Sequence, residues 1–339
     1  MKILIFGAGA IGGYLGGILT AAGADVTLVA RGAQHDALAG GELVLESART
    51  GRSMSTRVRV CKAGGETPPY DLIFVGLKAH HLAGTAKHIA GLCSSTGTIV
   101  LPQNGIPWWY FEKLDTPLRG TRIPSLDPDG ELARAFSIDS LVGGVAYRPA
   151  DLVRPGCVRY ADQPTDRLVI GELDNKVTPR LQEIASVVEA AGWPVTTTDN
   201  IRGFKWSKQM SNAVFNPLGA ITQSTALDEV RYPKTRRVAI DMLNEVFAVA
   251  RSVGVVPEMT PERMLDYSEK RVSMPSSTLQ DVRAGRELEL DALVHAVIDI
   301  ARLTKTPVPT LETVAACAAL LNRQIVEDRV AIVPRPVHG

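Results

Sequence analysis

The sequence has few of the features that would assign it to a specialised class. Its 339 residues hold four cysteines, Cys61, Cys93, Cys157 and Cys317, far apart and with no C-x-x-C pair. That spacing argues against a disulfide frame or a zinc site and fits reduced, mostly buried thiols, to which no chemistry is assigned. Neither charge sign is in excess, with 37 basic and 36 acidic side chains and a net charge of +1. No nucleic acid or membrane surface is implied as a partner. No apolar run approaches the length of a membrane span, and the chain enters a strand at its second residue, leaving no room for a signal peptide. The expected location is the cytoplasm. His80 and His81 are adjacent and do not share a helix face, so no metal pair is read from them. Repeats and low-complexity tracts are missing too. With 45% hydrophobic residues, a chain of this length buries a sizeable core and more naturally forms two domains than one.

The first eighteen residues or so carry the clearest signal. Ile3, Leu4, Ile5 and Phe6 form a continuous apolar run, the pattern of a strand buried on both faces of a parallel sheet. Gly7-Ala8-Gly9-Ala10-Ile11-Gly12 follows at once, and Ile11, Leu15, Ile18 and Leu19 recur at helical spacing. Strand, G-x-G-x-x-G turn and helix in this order are the context of a dinucleotide fingerprint. Gly7 permits the tight turn, Gly9 lets a pyrophosphate approach the backbone and Gly12 lets helix and strand pack closely. Unpaired amides at the helix start meet the phosphate charge. The next strand, over 25–30, ends in Ala30-Arg31-Gly32. An NAD site usually carries an acid there to hold the ribose hydroxyls. A missing acid and a present Arg31, whose planar fork suits a 2′-phosphate, favour NADPH/NADP+.

Further along, alternating residues from about 42 to 61 predict a hairpin. Buried strands over 72–77 and 98–101 end at Lys78 and at Gln103-Asn104-Gly105. In open doubly wound sheets ligands lie beyond the carboxyl ends of strands, which makes Lys78 and Asn104 candidates for the nicotinamide or substrate end. Residues of about 112–140 read as an inserted polar, Pro-rich loop. Before it stand Pro107, Trp108, Trp109, Tyr110 and Phe111, in a chain only 5% aromatic. They either line a cleft or anchor the insertion, and anchoring is favoured. Stretches over 141–147, 157–161 and 167–171 read as strands extending the sheet, and 178–191 as a helix closed by Gly192. The boundary is drawn at Asp199-Asn200, giving an N-terminal dinucleotide-binding domain over 1–200 and a helical substrate and dimerisation domain over 201–339. The apolar stripes Met242, Leu243, Val246, Phe247, Ala250 and Leu290, Leu293, Val294, Val297, Ile298, Ala301 supply the helical core.

Chemistry concentrates in Phe204 to Ala220. Lys208, Asn212 and Asn216 stand at i, i+4 and i+8 and form one polar stripe, with Trp206, Met210, Val214 and Phe215 largely off it. Two asparagines, poor helix formers, on one face of an otherwise apolar helix point to a site that needs polar partners, the alternative being a solvated face. Pro217 is expected to kink or end the helix just after Asn216. Glu289 falls at the edge of an apolar stripe, where it needs a partner or a shifted pKa, or pairs with Arg283 or Arg286. The stretch from Ser276 to Asp281 reads as a helix cap.

In this order, GAGAIGG, VGLKA, QNG, KQMSNAVFNPLGA and SSTLQDVRAGRELELDA resemble the ketopantoate reductases (2-dehydropantoate 2-reductases) over most of the chain. The resemblance implies a Rossmann-type doubly wound domain followed by an all-helical one, with the active site in the cleft between. It implies NADPH-dependent reduction of a 2-keto acid, ketopantoate to pantoate on the way to pantothenate and coenzyme A; the length and apolar stripes of the helical domain point separately to a homodimer. By motif, Lys208 is then the general acid, Asn212, Asn216 and Ser277 bind substrate, Glu289 positions substrate and lysine, Lys78 and Asn104 lie at the nicotinamide end, and Arg31 meets the 2′-phosphate. Lys78 is the second lysine expected to lower the pKa of Lys208. The chain departs from the family pattern at Thr278, where methionine is usual, and in the Pro-Trp-Trp-Tyr-Phe segment. Two alternatives follow: a paralogue acting on a bulkier 2-keto or hydroxy acid, and an NADPH-binding redox sensor with no catalysis.

Overall fold

A computed structural model describes residues 1–163, 165–270 and 273–334. Its contacts separate two compact units, the first made of Met1–Gln103, Phe111–Arg122 and Asp129–Ile201, the second of Asn104–Tyr110, Ile123–Pro128 and the chain from Arg202 onward. Two short segments from the first half of the chain thus belong with the helices of the second.

The first unit is built on an eight-stranded sheet and runs in chain order β1 (Lys2–Phe6), α1 (Ala10–Ala21), β2 (Asp25–Val29), α2 (Gly32–Gly40), β3 (Leu43–Ser47), β4 (Ser53–Thr56), β5 (Arg59–Cys61), β6 (Tyr70–Val75), α3 (Ala86–Leu92), β7 (Cys93–Leu101), α4 (Glu131–Ala135), β8 (Leu141–Tyr147), β9 (Ala150–Arg154), β10 (Cys157–Tyr160), β11 (Arg167–Glu172), α5 (Pro179–Ala190) and β12 (Val195–Thr198). The strand order is β12-β11-β8-β7-β6-β1-β2-β5. β1 pairs in parallel with β2 on one side and β6 on the other, Ile3 lying opposite both Val26 and Leu72. The chain winds away from β1 in both directions, so the carboxyl end of β1 is the topological switch point of the sheet. β1 is almost wholly apolar because helices cover both faces of such a sheet, and Ile3, Ile5, Leu15, Leu19, Leu28, Phe74 and Val100 share one core.

A second, four-stranded sheet has the order β4-β3-β10-β9. The hairpin expected over about 42–61 is present over 43–56 as β3 and β4, while 59–61 leave it as β5 at the edge of the main sheet, and residues 157–161, expected to extend the main sheet, instead form β10 beside β3 and β9. The reason is packing: Leu43, Leu45 and Val158 are buried against small residues of α1, covering a helix face that the main sheet does not reach. Residues 112–140 are irregular apart from α4 and a 3-10 turn over Ile138–Ser140, yet Ile123, Leu132 and Phe136 are buried, so the stretch is packed down rather than looped out.

The second unit comprises α6 (Ile201–Thr222), α7 (Ala226–Arg231), α8 (Pro233–Ser252), α9 (Pro261–Glu269), α10 (Ser277–Arg283), a π-helical turn (Asp291–His295), α11 (Ala296–Thr304) and α12 (Pro309–Glu327). α6 continues through Pro217 to Thr222, so of the expected kink or end after Asn216 the end does not occur. Residues 213–220 are all buried, and that packing outweighs the one backbone bond that proline cannot make. Glu245 on α8 accepts from the Thr310 and Leu311 amides at 2.9 and 2.8 Å, a carboxylate satisfying the positive end of α12. Segment 123–128 is fastened to α11 by the Ser125 N–H, which donates to Asp299 Oδ2 at 2.8 Å.

Candidate active site

The nucleotide element of the first unit is backbone in character. Gly7 has φ +106°, in the region that favours glycine, and the amides of Gly7 and Ala8 both donate to Val29 O, at 3.1 and 3.0 Å. The turn is therefore bonded to the end of β2, two residues before Arg31. A Cβ on Gly12 would stand 2.0 Å from Gly7 O, so no larger residue fits where helix and turn meet. Gly9 differs: a Cβ there would meet nothing nearer than Gly76 O at 3.9 Å. Protein packing does not demand a glycine at that position, whereas a phosphate lying against the backbone would. Gly9 is the N-cap of α1 and offers no side-chain cap, and the first turn carries no acid, which leaves the amides of Ala10, Ile11 and Gly12 for an anion. The cradle fits a dinucleotide pyrophosphate. Gln34, which sequence reading passed over, holds it from behind: its Nε2 donates to Ala8 O at 2.8 Å and its Oε1 accepts from Gly156 N at 2.8 Å. Arg31 is exposed at the N-cap of α2, and Lys78, half-buried, leads into a short 3-10 turn after β6.

In the second unit the site is made of side chains. Lys208, Asn212 and Asn216 share one face of α6, Lys208 and Asn212 half-buried and Asn216 only 7% exposed. Neither asparagine side chain bonds to another described residue, which leaves their amides available to a ligand. Burial draws the Lys208 ammonium down to about 8 against an opposing pull from the Glu289 carboxylate. The lowering thus comes from burial rather than from Lys78, as the sequence led one to expect. One turn earlier on α6, Lys205 is 3% exposed and is brought down to about 7, first by burial and then by the charge of Lys208. A second lysine on this helix was not anticipated, since spacing alone does not tell a buried lysine from a solvated one.

Glu289 precedes the π-helical turn rather than riding on a helix face, and the proposed ion pairs with Arg283 and Arg286 do not form. Arg286 instead pairs with Asp281, its Nε donating to Oδ1 at 2.9 Å, and Arg283 donates to Gln223 O. Ser276 caps α10, accepting from Leu279 N at 3.2 Å, and places Ser277, exposed, at the first helical position. Thr278 is buried. Asn104 is half-buried, and Gly105 beside it has φ +85° with Ala292 O only 2.5 Å from where a Cβ would be. The aromatic segment is buried and bonded to α6, which is not the insertion that the sequence suggests it anchors. Trp109 and Tyr110 are 0% exposed, Trp206 Nε1 donates to Tyr110 Oη at 2.7 Å, and Arg202 Nε donates to Tyr110 O at 2.7 Å beneath a guanidinium set over both rings. Among the described residues no group of three or more His, Cys, Asp or Glu side chains could hold a metal, and no helix is long and apolar enough to cross a membrane.

Comparison with known proteins gives this pattern its context. Residues 3–175 match the family described as ketopantoate reductase PanE/ApbA, and residues 200–322 match its C-terminal domain. The chain belongs to the ketopantoate reductase family. The 2-dehydropantoate 2-reductase of Mesorhizobium japonicum is 36% identical over 333 residues, covering 96% of this chain and 98% of its own. Among solved structures, a ketopantoate reductase candidate from Ralstonia solanacearum MolK2 is 30% identical, covers 96% of this chain and 98% of its own, and superposes with a TM-score of 0.89. D-mandelate dehydrogenase in a ternary complex with NADH and anilino(oxo)acetate shares the fold, with a TM-score of 0.81 at 18% identity, covering 96% of this chain and 99% of its own. As a ketopantoate reductase relative the chain is an oxidoreductase of CH–OH groups, with a Rossmann-like parallel sheet and a helical C-terminal region. Its reaction is 2-keto acid reduction of the ketopantoate reductase type.

Proposed function

We propose that the protein reduces ketopantoate to pantoate with NADPH, supplying pantothenate and coenzyme A synthesis in the cytoplasm, and that it works as a homodimer. The observation that carries the catalytic part is Lys208, an ammonium drawn down to about 8 on the polar face of α6 and opposed by Glu289. NADPH, when bound, supplies the hydride to the keto carbon. Charge then develops on the carbonyl oxygen, and Lys208 Nζ both stabilises it and gives the proton that completes the alcohol. An ordinary lysine, near 10.4, parts with its proton reluctantly at neutral pH, and burial removes that reluctance while the Glu289 charge keeps enough of the protonated form. Asn212 and Asn216, with Asn104 and Ser277, offer donors and acceptors to a carboxylate and a hydroxyl without adding net charge. On the cofactor side Gly7 to Gly12 hold the pyrophosphate, Arg31 takes the 2′-phosphate and Lys78 serves the nicotinamide end.

The test is the initial rate of nucleotide oxidation with ketopantoate, run with NADPH and with NADH and repeated with bulkier 2-keto acids. Strong turnover with ketopantoate and preference for NADPH is the expected result. Turnover only with a larger keto acid would replace the substrate and keep the mechanism. NADPH binding with no reduction of any keto acid would remove the catalytic reading.

A further inference from the structure

Lys208 is followed on α6 by a residue of a different kind. Gln209 lies about 100° around the helix from Lys208, off the polar stripe, and is 1% exposed. Its Nε2 donates to Leu293 O at 2.5 Å, across 84 residues of sequence. Its Oε1 is buried with no hydrogen-bond partner, which works against keeping a glutamine where an apolar residue of the same length would satisfy the core. The bond made by the other end of the amide must therefore be worth keeping.

The acceptor is unusual as well. Leu293 lies in the π-helical turn Asp291–His295, where the Ala296 N–H reaches back five residues to Asp291 O. Two carbonyls of this turn accept from outside the helix: Leu293 O from Gln209 Nε2, and Ala292 O from the Ile106 N–H at 3.0 Å. The turn is thus a junction. Lys208 is one residue from the first bond, Asn104 two residues from the second, and Glu289 three residues before Ala292. The close approach at Gly105 holds the second arm in place. Single π-helical turns of this sort gather at functional sites because a one-residue slip frees polar groups and re-aims side chains.

We infer that Gln209 is a positioning residue, which bolts α6 to the π-helical turn and so fixes Lys208 relative to Glu289 and Asn104. The inference rests on the reading of Lys208 as the proton donor and deepens it, since Gln209 touches neither substrate nor cofactor in that reading.

The experiment uses Gln209→Met, which keeps length and apolar volume and removes the donor, and Gln209→Asn, which keeps the donor one methylene short. Each is compared with the wild type and with Lys208→Ala for kcat, KM, NADPH affinity, melting temperature and the pH dependence of kcat. Lys208 is also titrated directly by NMR of its isotopically methylated amine, assigned by its loss in Lys208→Ala. Glu289 before the turn bears on that titration, and Lys208 in turn bears on that of Lys205 one turn earlier. The expected result is a loss in kcat of about tenfold or more with NADPH affinity unchanged, because small misplacements of a reacting group are costly. In both variants the Lys208 titration should also move below its wild-type position, as the supporting carboxylate is no longer held in place. A lowered melting temperature with kcat and the Lys208 titration both unchanged would overturn the inference and leave Gln209 a purely structural bond. If Lys208→Ala retains full turnover, the proton-donor reading fails by itself. The NMR shift then still decides whether Gln209 sets the Lys208 environment.

Discussion

In the first unit the binding element is backbone, set by three glycines within six residues, whereas in the second it is a set of side chains collected from α6, the Asn104–Tyr110 segment and the chain around Glu289. The first tolerates no Cβ at Gly12 because Gly7 O lies 2.0 Å from where it would be, and its own amides await the ligand. The second depends on burial to prepare its lysine and on hydrogen bonds across long stretches of chain to hold it. A nucleotide pyrophosphate is a fixed shape with fixed charge, which a rigid backbone nest meets well. Proton delivery needs a titratable group at a tuned pKa, which only a side chain in a built environment supplies.

That division of labour can be broken most directly at Lys208. Lys208→Ala is expected to lower kcat by about 10²–10⁴-fold, the usual contribution of a positioned general acid, with NADPH affinity unchanged. Steady-state rates and a fluorescence titration of NADPH check it, and a parallel loss of nucleotide binding would mean that the two elements are not separate. The converse variant is Gly12→Ala. Forcing a methyl against Gly7 O should cost about 1–3 kcal/mol of stability and weaken NADPH binding, read from the melting temperature and the same titration. A variant that binds NADPH normally would show that the turn has room which its backbone geometry denies.

Arg31 sharpens the comparison, because it is the side chain of the first element proposed to meet the 2′-phosphate. Arg31→Ala should raise the dissociation constant for NADPH about tenfold, equivalent to roughly 1.4 kcal/mol, and leave NADH nearly untouched. Equal effects on both nucleotides would detach Arg31 from the 2′-phosphate. The smallest effect is expected at Glu229, a buried carboxyl of α7 that burial pushes up to about 9. The fold holds it protonated, so its contribution to stability is fully present below about pH 4.5 and is lost as pH rises through about 9. Glu229→Gln should leave kcat unchanged and become more stable than the wild type toward alkaline pH, by denaturant titration at several pH values. A fall in kcat instead would extend the functional set of the second unit beyond the face of α6.

The legibility of the two elements follows from their construction. The glycine turn could be read because every residue it needs lies within a dozen positions, and the hairpin of β3 and β4 because alternation is a local property. The sequence also marks β10 as a strand but not as a member of the second sheet, since the choice of neighbour rests on which helix face is left uncovered. Pro217 does not end α6 because a local preference for ending the helix is weaker than the burial of the residues around it. The face of Lys208, Asn212 and Asn216 was visible as a spacing. Gln209 and Lys205 were not, because a polar residue beside such a stripe looks the same whether buried or solvated. The π-helical turn leaves the apolar pattern of 290–301 intact while slipping the backbone by one residue, so no periodicity reveals it.

The sequence by itself determined the strand–turn–helix with its three glycines, the change from alternating elements to helices near residue 200, and the polar stripe on α6, because each depends on spacing along a few turns of chain. Only the tertiary structure decided which sheet β10 joins, that the aromatic segment packs against α6, that Glu289 opposes the effect of burial on Lys208, and that Gln209 is bonded to the π-helical turn. Those outcomes depend on desolvation and on hydrogen bonds between residues far apart in the chain, and neither quantity exists until the chain has folded.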